Sequence, residues 1–429
     1  MSLEWKTTTI GELCSKVSSG GTPKSTNEKY YGGDIPWLNT KEINFNRIYD
    51  TEKHITQDGF ENSAAKWVKK ESVIVAMYGA TAAKVAMNMV DLTTNQACCN
   101  LTIENRLANP KFIYYYLYSN YGRLLNLASG AAQQNLNSNL IKEFPISIPP
   151  LNVQNKIVNV LSTIDDKIEM NEKINKNLEQ LLHTIFNHWF ISFDKFKNVS
   201  FKESPLGDIP DGWNYGALRE LLTLTKNPIK ANKTNGLPYL PIDIIPMNSL
   251  GISELKSDKE ANSSLITFNK NDILIGAMRV YFHRVVISPC SGVTRSTCFV
   301  LNPKQEHHLS YLLLLCNLDR TIQYAQNTSK GTTMPYAVWD NGLGDMDIII
   351  PPEDILLDFH ELVFPIIEKI RDSYLEINKL SKLRDTLLPK LMSGEIDVSK
   401  INCDLKFNIC FKKILSKITK LLNFMKNAK

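Results

Sequence analysis

Few residues of this chain have the type and spacing that bond-making chemistry needs. Gly20-Gly21-Thr22-Pro23-Lys24-Ser25 has the ingredients of a phosphate loop but not the G-x4-G-K-[ST] spacing that wraps backbone amides around a phosphate. No G-x-G-x-x-G turn follows a strand pattern, so neither a dinucleotide site nor an S-adenosylmethionine site is visible. Pro149-Pro150 and Pro351-Pro352 could belong to an adenine-methyltransferase loop, but that loop needs Asn or Asp before and an aromatic after. Ile148 and Leu151, and Ile350 and Glu353, stand there instead. His307-His308 has no carboxylate or cysteine at ligand spacing, and His183 and His188 fall off a common helix face. The eight cysteines include no C-x2-C pair and read as reduced thiols. The sequence therefore predicts no catalytic residue, no metal site and no cofactor of its own.

The polar residues that remain suit recognition. In a DNA groove, amides read adenine, Arg or Lys reads guanine, and small methyl-bearing side chains meet thymine. Polar loops in the first half of the chain offer Lys24, Ser25 and Thr26, then Asn39 and Lys41, then Tyr78, Thr81 and Lys84. Asn95 and Gln96 follow, with Gln133, Gln134 and Asn135 beyond them. The second half offers Lys230 and Lys233, then Arg279, Tyr281 and Arg284, then Arg295 and Ser296, and finally Lys330, Thr333 and Tyr336. The first set is rich in amides, the second in cations and hydroxyls. Asn, Thr and Gly are also what any loop contains, so the candidates gain weight from the frame that presents them.

That frame is written twice. Ile148-Pro149-Pro150 recurs as Ile350-Pro351-Pro352, 202 residues on, and the same offset carries Leu178 onto Leu380 and Thr184 onto Thr386. Upstream the match loosens, with Trp5…Gly11-Glu12-Leu13 set against Trp213…Arg219-Glu220-Leu221. After each Pro-Pro pair an apolar heptad begins. Ile157, Leu161, Ile164, Ile168, Leu178, Leu182, Ile185 and Trp189 mark the first; Phe359, Val363, Ile366, Ile370, Ile377, Leu380, Leu387 and Leu391 mark the second. This is the period of a coiled-coil seam, interrupted by Asn171 and Asn175 in one copy and by Ser373 and Arg384 in the other. A helix over 151–190 would be about 60 Å long and needs a partner for its apolar seam. A duplicated chain closes most simply with a pseudo-two-fold axis, which predicts an antiparallel pair. Pro365 and Pro389 predict a kinked or split second helix, and Gly394 a stop. Ahead of the first helix 72–80 and 97–103, and ahead of the second their counterparts 272–278 and 296–301, read as strands of a curved sheet.

At 429 residues the chain has room for two or three domains, and a net charge of +5 permits a polyanionic partner without demanding one. No run has signal-peptide or membrane-span length, so the expected location is the cytoplasm, with no membrane contact.

The chain resembles the specificity subunit of type I restriction-modification systems. The resemblance rests on Ser19-Gly20-Gly21-Thr22-Pro23, Gly33-Asp34-Ile35-Pro36-Trp37, Ser129-Gly130…Asn135-Leu136-Asn137, the two Ile-Pro-Pro junctions, and the string Leu383-Arg384-Asp385-Thr386-Leu387-Leu388-Pro389-Lys390-Leu391-Met392-Ser393-Gly394-Glu395-Ile396. It implies an α+β chain in which two α/β target-recognition domains are joined by two long antiparallel coiled-coil helices. The expected divisions are domain 1 at 1–150, helix at 151–192, linker at 193–204, domain 2 at 205–350, helix at 351–394 and a basic extension at 395–429. It further implies double-stranded DNA, two modification subunits and a restriction (translocase) subunit as partners. S-adenosylmethionine, ATP and Mg would then be held by those partners. Two alternatives stay open: a related methyltransferase-nuclease with no separate motor, and a coiled-coil scaffold that binds no DNA. Beyond Ile396 the family pattern ends, and Lys406, Lys412, Lys413, Lys417, Lys420, Lys426 and Lys429 around an apolar stripe read as a basic amphipathic helix.

Overall fold

The computed structural model describes residues 5–129, 135–261 and 264–398. Gln133, Gln134 and the basic stretch 399–429 lie outside the described residues. Two compact units pack separately: residues 1–164 with 383–429, and residues 165–382. Each unit takes one part of each long helix.

In the first unit, Trp5 is followed by the strand Lys6–Thr9, which pairs antiparallel with Pro145–Ile148, the strand that runs into the first Pro-Pro pair. In the second unit, Trp213 is followed by Asn214–Ala217, which pairs antiparallel with Asp347–Ile350 ahead of the second Pro-Pro pair. The loose upstream match therefore marks a closed loop: each mixed segment returns to its starting strand before its helix begins.

Where one curved sheet is expected per domain, each unit divides its strands between two larger sheets. In the first unit, Cys98–Ile103 lies between Cys14–Ser19 and Val73–Ala76, and Val73–Ala76 pairs on with Val85–Asn88. The second unit repeats this order with Cys298–Pro303 between Leu222–Leu224 and Ile273–Gly276, then Val285–Ile287. These strands read VIVA, VAMN and CCNLTI against ILIG, VVI and CFVLNP. They are apolar on both faces because helices or the second sheet cover each side. The second sheet shares a parallel pair, Tyr31–Leu38 with Leu92–Thr94 in one unit and Tyr239–Leu240 with Gly292–Arg295 in the other. Its outer strand is added differently: Lys53–Ile55 joins Tyr31–Leu38, whereas Pro228–Ile229 joins Leu265–Phe268. The copies thus agree in the centre and diverge at the edges.

The long helices are Leu151–Phe186 and Glu353–Met392. Within the second unit their segments run antiparallel: Phe186 packs on Phe359 with ring centroids 6.1 Å apart, and Asn171 Nδ2 donates to Glu376 Oε2 at 2.8 Å. Of the expected seam residues, Ile157, Leu161, Ile164, Ile168, Phe359, Val363, Ile370 and Leu387 are buried, as is Leu380, while Leu178, Ile185 and Ile366 are half-buried. The buried stripe is wider than a heptad seam, because Val153, Val158, Phe186, Leu356 and Ile367 are buried too. Leu356 and Ile367 join the core that holds Tyr311 and Leu312, so the helix packs on its domain as well as on its partner helix. Asn171, Asn175 and Ser373 are buried rather than turned to solvent.

The second helix is the more regular of the two, contrary to the expectation from its prolines. It continues unbroken through Pro365 and Pro389, whereas the first ends in a π turn at Asn187–Ile191. Both prolines are exposed, and so are Glu361 and Asp385, whose carbonyls lose their helical partners. Water can satisfy those carbonyls, and the buried Val363, Ile367, Leu388 and Leu391 hold the helix on either side. Gly394 follows in the left-handed region with φ 77°, the stop that the sequence predicts.

Candidate nucleic-acid interface

One hairpin turn is built the same way in both units. Between Val73–Ala76 and Val85–Asn88 the chain crosses a 3-10 turn, Gly79–Thr81, with Gly79 and Ala83 in the left-handed region at φ 76° and 65°. Two hundred residues later Ile273–Gly276 leads through Val280–Phe282 to Val285–Ile287, with Arg279 and His283 left-handed at φ 50° each. Ala76 N donates to Lys84 O at 2.9 Å in the first turn, and Gly276 N to Arg284 O at 3.0 Å in the second. The apex reads Ala80-Thr81-Ala82 in one copy and Val280-Tyr281-Phe282 in the other. The mount is shared and the presented side chains are not.

Backbone hydrogen bonds gather the neighbouring loops around that turn. Met77 N donates to Ala97 O at 2.8 Å, and Leu136 N to Met77 O at 3.1 Å. In the second unit Ala277 N donates to Thr297 O at 3.0 Å, Ala337 N to Ala277 O at 2.8 Å, and Arg279 N to Pro335 O at 2.8 Å. Tyr78, Thr81, Lys84, Asn95, Gln96 and Asn135 are therefore neighbours in the first unit. Arg279, Tyr281, Arg284, Arg295, Ser296, Lys330, Thr333 and Tyr336 form the matching group in the second. Lys330 joins through a bridge to Tyr336, which itself bridges Met278. Tyr78, Tyr281, Met334 and Tyr336 are all more than a third exposed, which gives each group flat apolar surface beside its polar atoms.

Lys24, Ser25 and Thr26 approach the first group through the preceding loop. Gly21 N donates to Thr94 O at 2.9 Å, and the Thr22 hydroxyl bonds Gln96. Gly20 is there for close approach: a Cβ would sit 1.9 Å from Thr94 O. The glycines of this loop serve strand contact, not phosphate. Lys230 precedes and Lys233 ends a 3-10 turn beside the second sheet, and among the described residues no backbone hydrogen bond ties them to the second group.

Several candidates carry structural tasks. Asn39 caps the turn Thr40–Glu42 by accepting from Lys41 N at 3.2 Å, and the Lys41 ammonium pairs with Glu52. Asn95 is buried, with its side-chain oxygen accepting from Ala97 N at 3.1 Å. The Lys84 ammonium donates to Asn44 Oδ1 at 2.7 Å. Arg284 donates to the carbonyls of Ile242 and Ile245, the latter at 2.8 Å. Arg295 Nε donates to the Tyr239 hydroxyl at 3.1 Å and keeps an exposed position. The short-range spacing of the sequence shows loops but not these caps.

The thiols nearest the first group are buried. Burial pushes the thiol of Cys98 well above its usual range and that of Cys99 to about 11, so both stay protonated at neutral pH. Cys14, Cys298 and Cys316 are likewise raised to about 12 by burial. One polar cluster escaped the sequence reading because its carboxylate is remote. Glu353, in the first turn of the second long helix, accepts from His307 Nε2 at 2.6 Å and from His308 Nε2 at 2.9 Å. Those two hydrogen bonds hold its carboxyl below the ordinary range.

Residues 2–180 match the model of the type I restriction modification DNA specificity domain. The type I restriction enzyme MjaIX specificity subunit of Methanocaldococcus jannaschii is 29% identical over 419 residues, 93% of this chain and 95% of that protein. The HindI specificity subunit of Haemophilus influenzae is 20% identical over 466 residues, 92% of this chain and 100% of that protein. The crystal structure of the type I restriction-modification S subunit from M. genitalium shares the fold, with a TM-score of 0.61 at 18% identity over 91% of this chain and 96% of that one. No helix among the described residues is long and apolar enough to cross a membrane. The chain is similar along nearly its whole length to type I restriction-modification specificity subunits, and its residues 2–180 match the model of their DNA specificity domain.

Proposed function

We propose that the chain reads a bipartite, asymmetric DNA target, one half-site per recognition domain, while its two long helices dock two modification subunits and the assembly adds a restriction subunit. The observation that carries this reading is the duplicated turn. One backbone mount presents Ala80 and Thr81 in one copy and Tyr281 and Phe282 in the other, with Ala82 and Val280 turned into their cores, so the two half-sites differ in sequence. The near-copied helices offer like surfaces to like partners, and their length, about 54 to 60 Å at 1.5 Å per residue, leaves an unread spacer between the half-sites. S-adenosylmethionine, ATP and Mg belong to the partner subunits, where methylation of a flipped adenine takes place.

Salt dependence distinguishes this from a protein scaffold. Binding through phosphates releases counterions, so the logarithm of affinity falls with the logarithm of salt by about 0.9 per phosphate neutralised. The chain assembled with its modification subunits is expected to lose DNA affinity by orders of magnitude between roughly 50 and 200 mM salt, as a contact with several phosphates does. Affinity that stays flat across that range would contradict the reading.

A further inference from the structure

We infer that the turn 279–283 is a specificity-determining element of the C-terminal recognition domain, with Arg279 reading a guanine in the major groove. The inference rests on the DNA-recognition reading above and adds a named residue and base.

The first argument is the backbone. Arg279 occupies the left-handed region at φ 50°, ψ 56°, and its counterpart in the first copy is Gly79 at φ 76°. That conformation suits glycine and disfavours any residue with a Cβ. The first copy shows the residue that the turn itself calls for. A long cation in its place strains the backbone, and such strain persists where the side chain has a task.

The second argument is what three of the other four arginines of this domain do, Arg320 being exposed like Arg279. Arg219 pairs with Asp345 at 2.8 Å, Arg284 is held by backbone carbonyls, and Arg295 by the Tyr239 hydroxyl. Arg279 is exposed, and among the described residues its guanidinium has no hydrogen-bond or ion-pair partner. Its mount is nevertheless fixed. Arg279 N donates to Pro335 O at 2.8 Å, and at the far end of the turn His283 places Nε2 2.9 Å from Asn317 O and Nδ1 3.3 Å from Asp319. A free fork on a braced turn is pre-organised for a planar acceptor pair, and guanine O6 and N7 present that pair in the major groove.

The third argument is the contrast between copies. The first turn carries no cation before Lys84, whose ammonium is engaged by Asn44. A guanine contact of this kind therefore belongs to one half-site alone.

The test is the methylation pattern of cells expressing the full chain with its modification subunit, for the parent and for Arg279→Gly, read beside the melting temperature of each purified complex. Glycine matches the turn, so the variant is expected to melt no lower than the parent. One guanine position in one half-site is expected to relax, its discrimination falling by about ten- to a hundredfold, while the other half-site and the spacer keep their sequence. An unchanged motif would overturn the proposal. A uniform loss of methylation with every motif position retained would also overturn it, because that is the signature of a phosphate contact. A clear drop in melting temperature would overturn the strain argument, and Arg279→Lys would then report on the base contact by itself: retained guanine selectivity would contradict a bidentate reading. If the parent methylates no defined motif, the underlying DNA-recognition reading fails first, which is visible without any variant.

Discussion

Glu179 ties three parts of the second unit together through one atom. Its Oε1 accepts from Ser249 Oγ at 3.0 Å and from Leu250 N at 3.1 Å, with the Tyr374 hydroxyl at 3.5 Å. Burial raises its carboxyl above the ordinary range, and the three donors offset only part of that. With the folded value above the unfolded one of about 4.3, the residue costs nothing while protonated in both states. Stability is then lost as pH rises from that unfolded value through the folded one. Glu179→Gln keeps the accepting oxygen and removes the charge. Its melting temperature is expected to exceed that of the parent at pH 7, with the gap closing towards pH 4; a gap independent of pH would contradict this account. None of this was legible in the sequence, because Glu179 lies off the heptad and its partners are 70 and 195 residues away. A separation of 46 residues likewise hid Glu353 from His307. The candidate recognition residues were chosen by type and loop, whereas the buried Asn95 and the engaged Arg284 show that type alone does not say which way a side chain faces.

At the scale of elements, the helices were the most legible feature, since a heptad and a Pro-Pro start are local patterns. Which face of a helix a proline occupies is not local, and for that reason Pro365 and Pro389 suggested a break that the exposed face does not suffer. The division of the strands into two sheets was equally hidden, because the parallel pair Tyr31–Leu38 with Leu92–Thr94 depends on contacts distant in sequence. The buried polar residues of the helix pair are informative. Both polar atoms of Asn175 and the hydroxyl of Ser373 are buried without a partner among the described residues. Such groups lower stability, and in helix pairs they fix register by penalising alternatives. Asn175→Leu is expected to raise the urea midpoint, by about 1–3 kcal/mol of unfolding free energy at unchanged denaturant slope. A lower midpoint would mean that the amide is satisfied in the folded protein.

For the whole molecule, the proposed function assigns different jobs to what the repeat copies closely and what it does not. The helices repeat at a constant offset and present like surfaces, which suits identical partners. The recognition domains repeat only their central strands and the hairpin mount, and they differ in edge strands and in the side chains at the apex. That pattern is what the proposed frame with two different readers requires. The sequence shows the duplication, but the bases each domain prefers depend on loop conformation and on the partner duplex. The central claim is that two unlike readers sit on one chain, and methylome sequencing of cells expressing this chain with its modification subunit tests it most directly. The account predicts a single motif made of two different half-sites separated by a spacer of fixed length and free sequence. A palindromic motif, or one continuous block of specified bases, would contradict it.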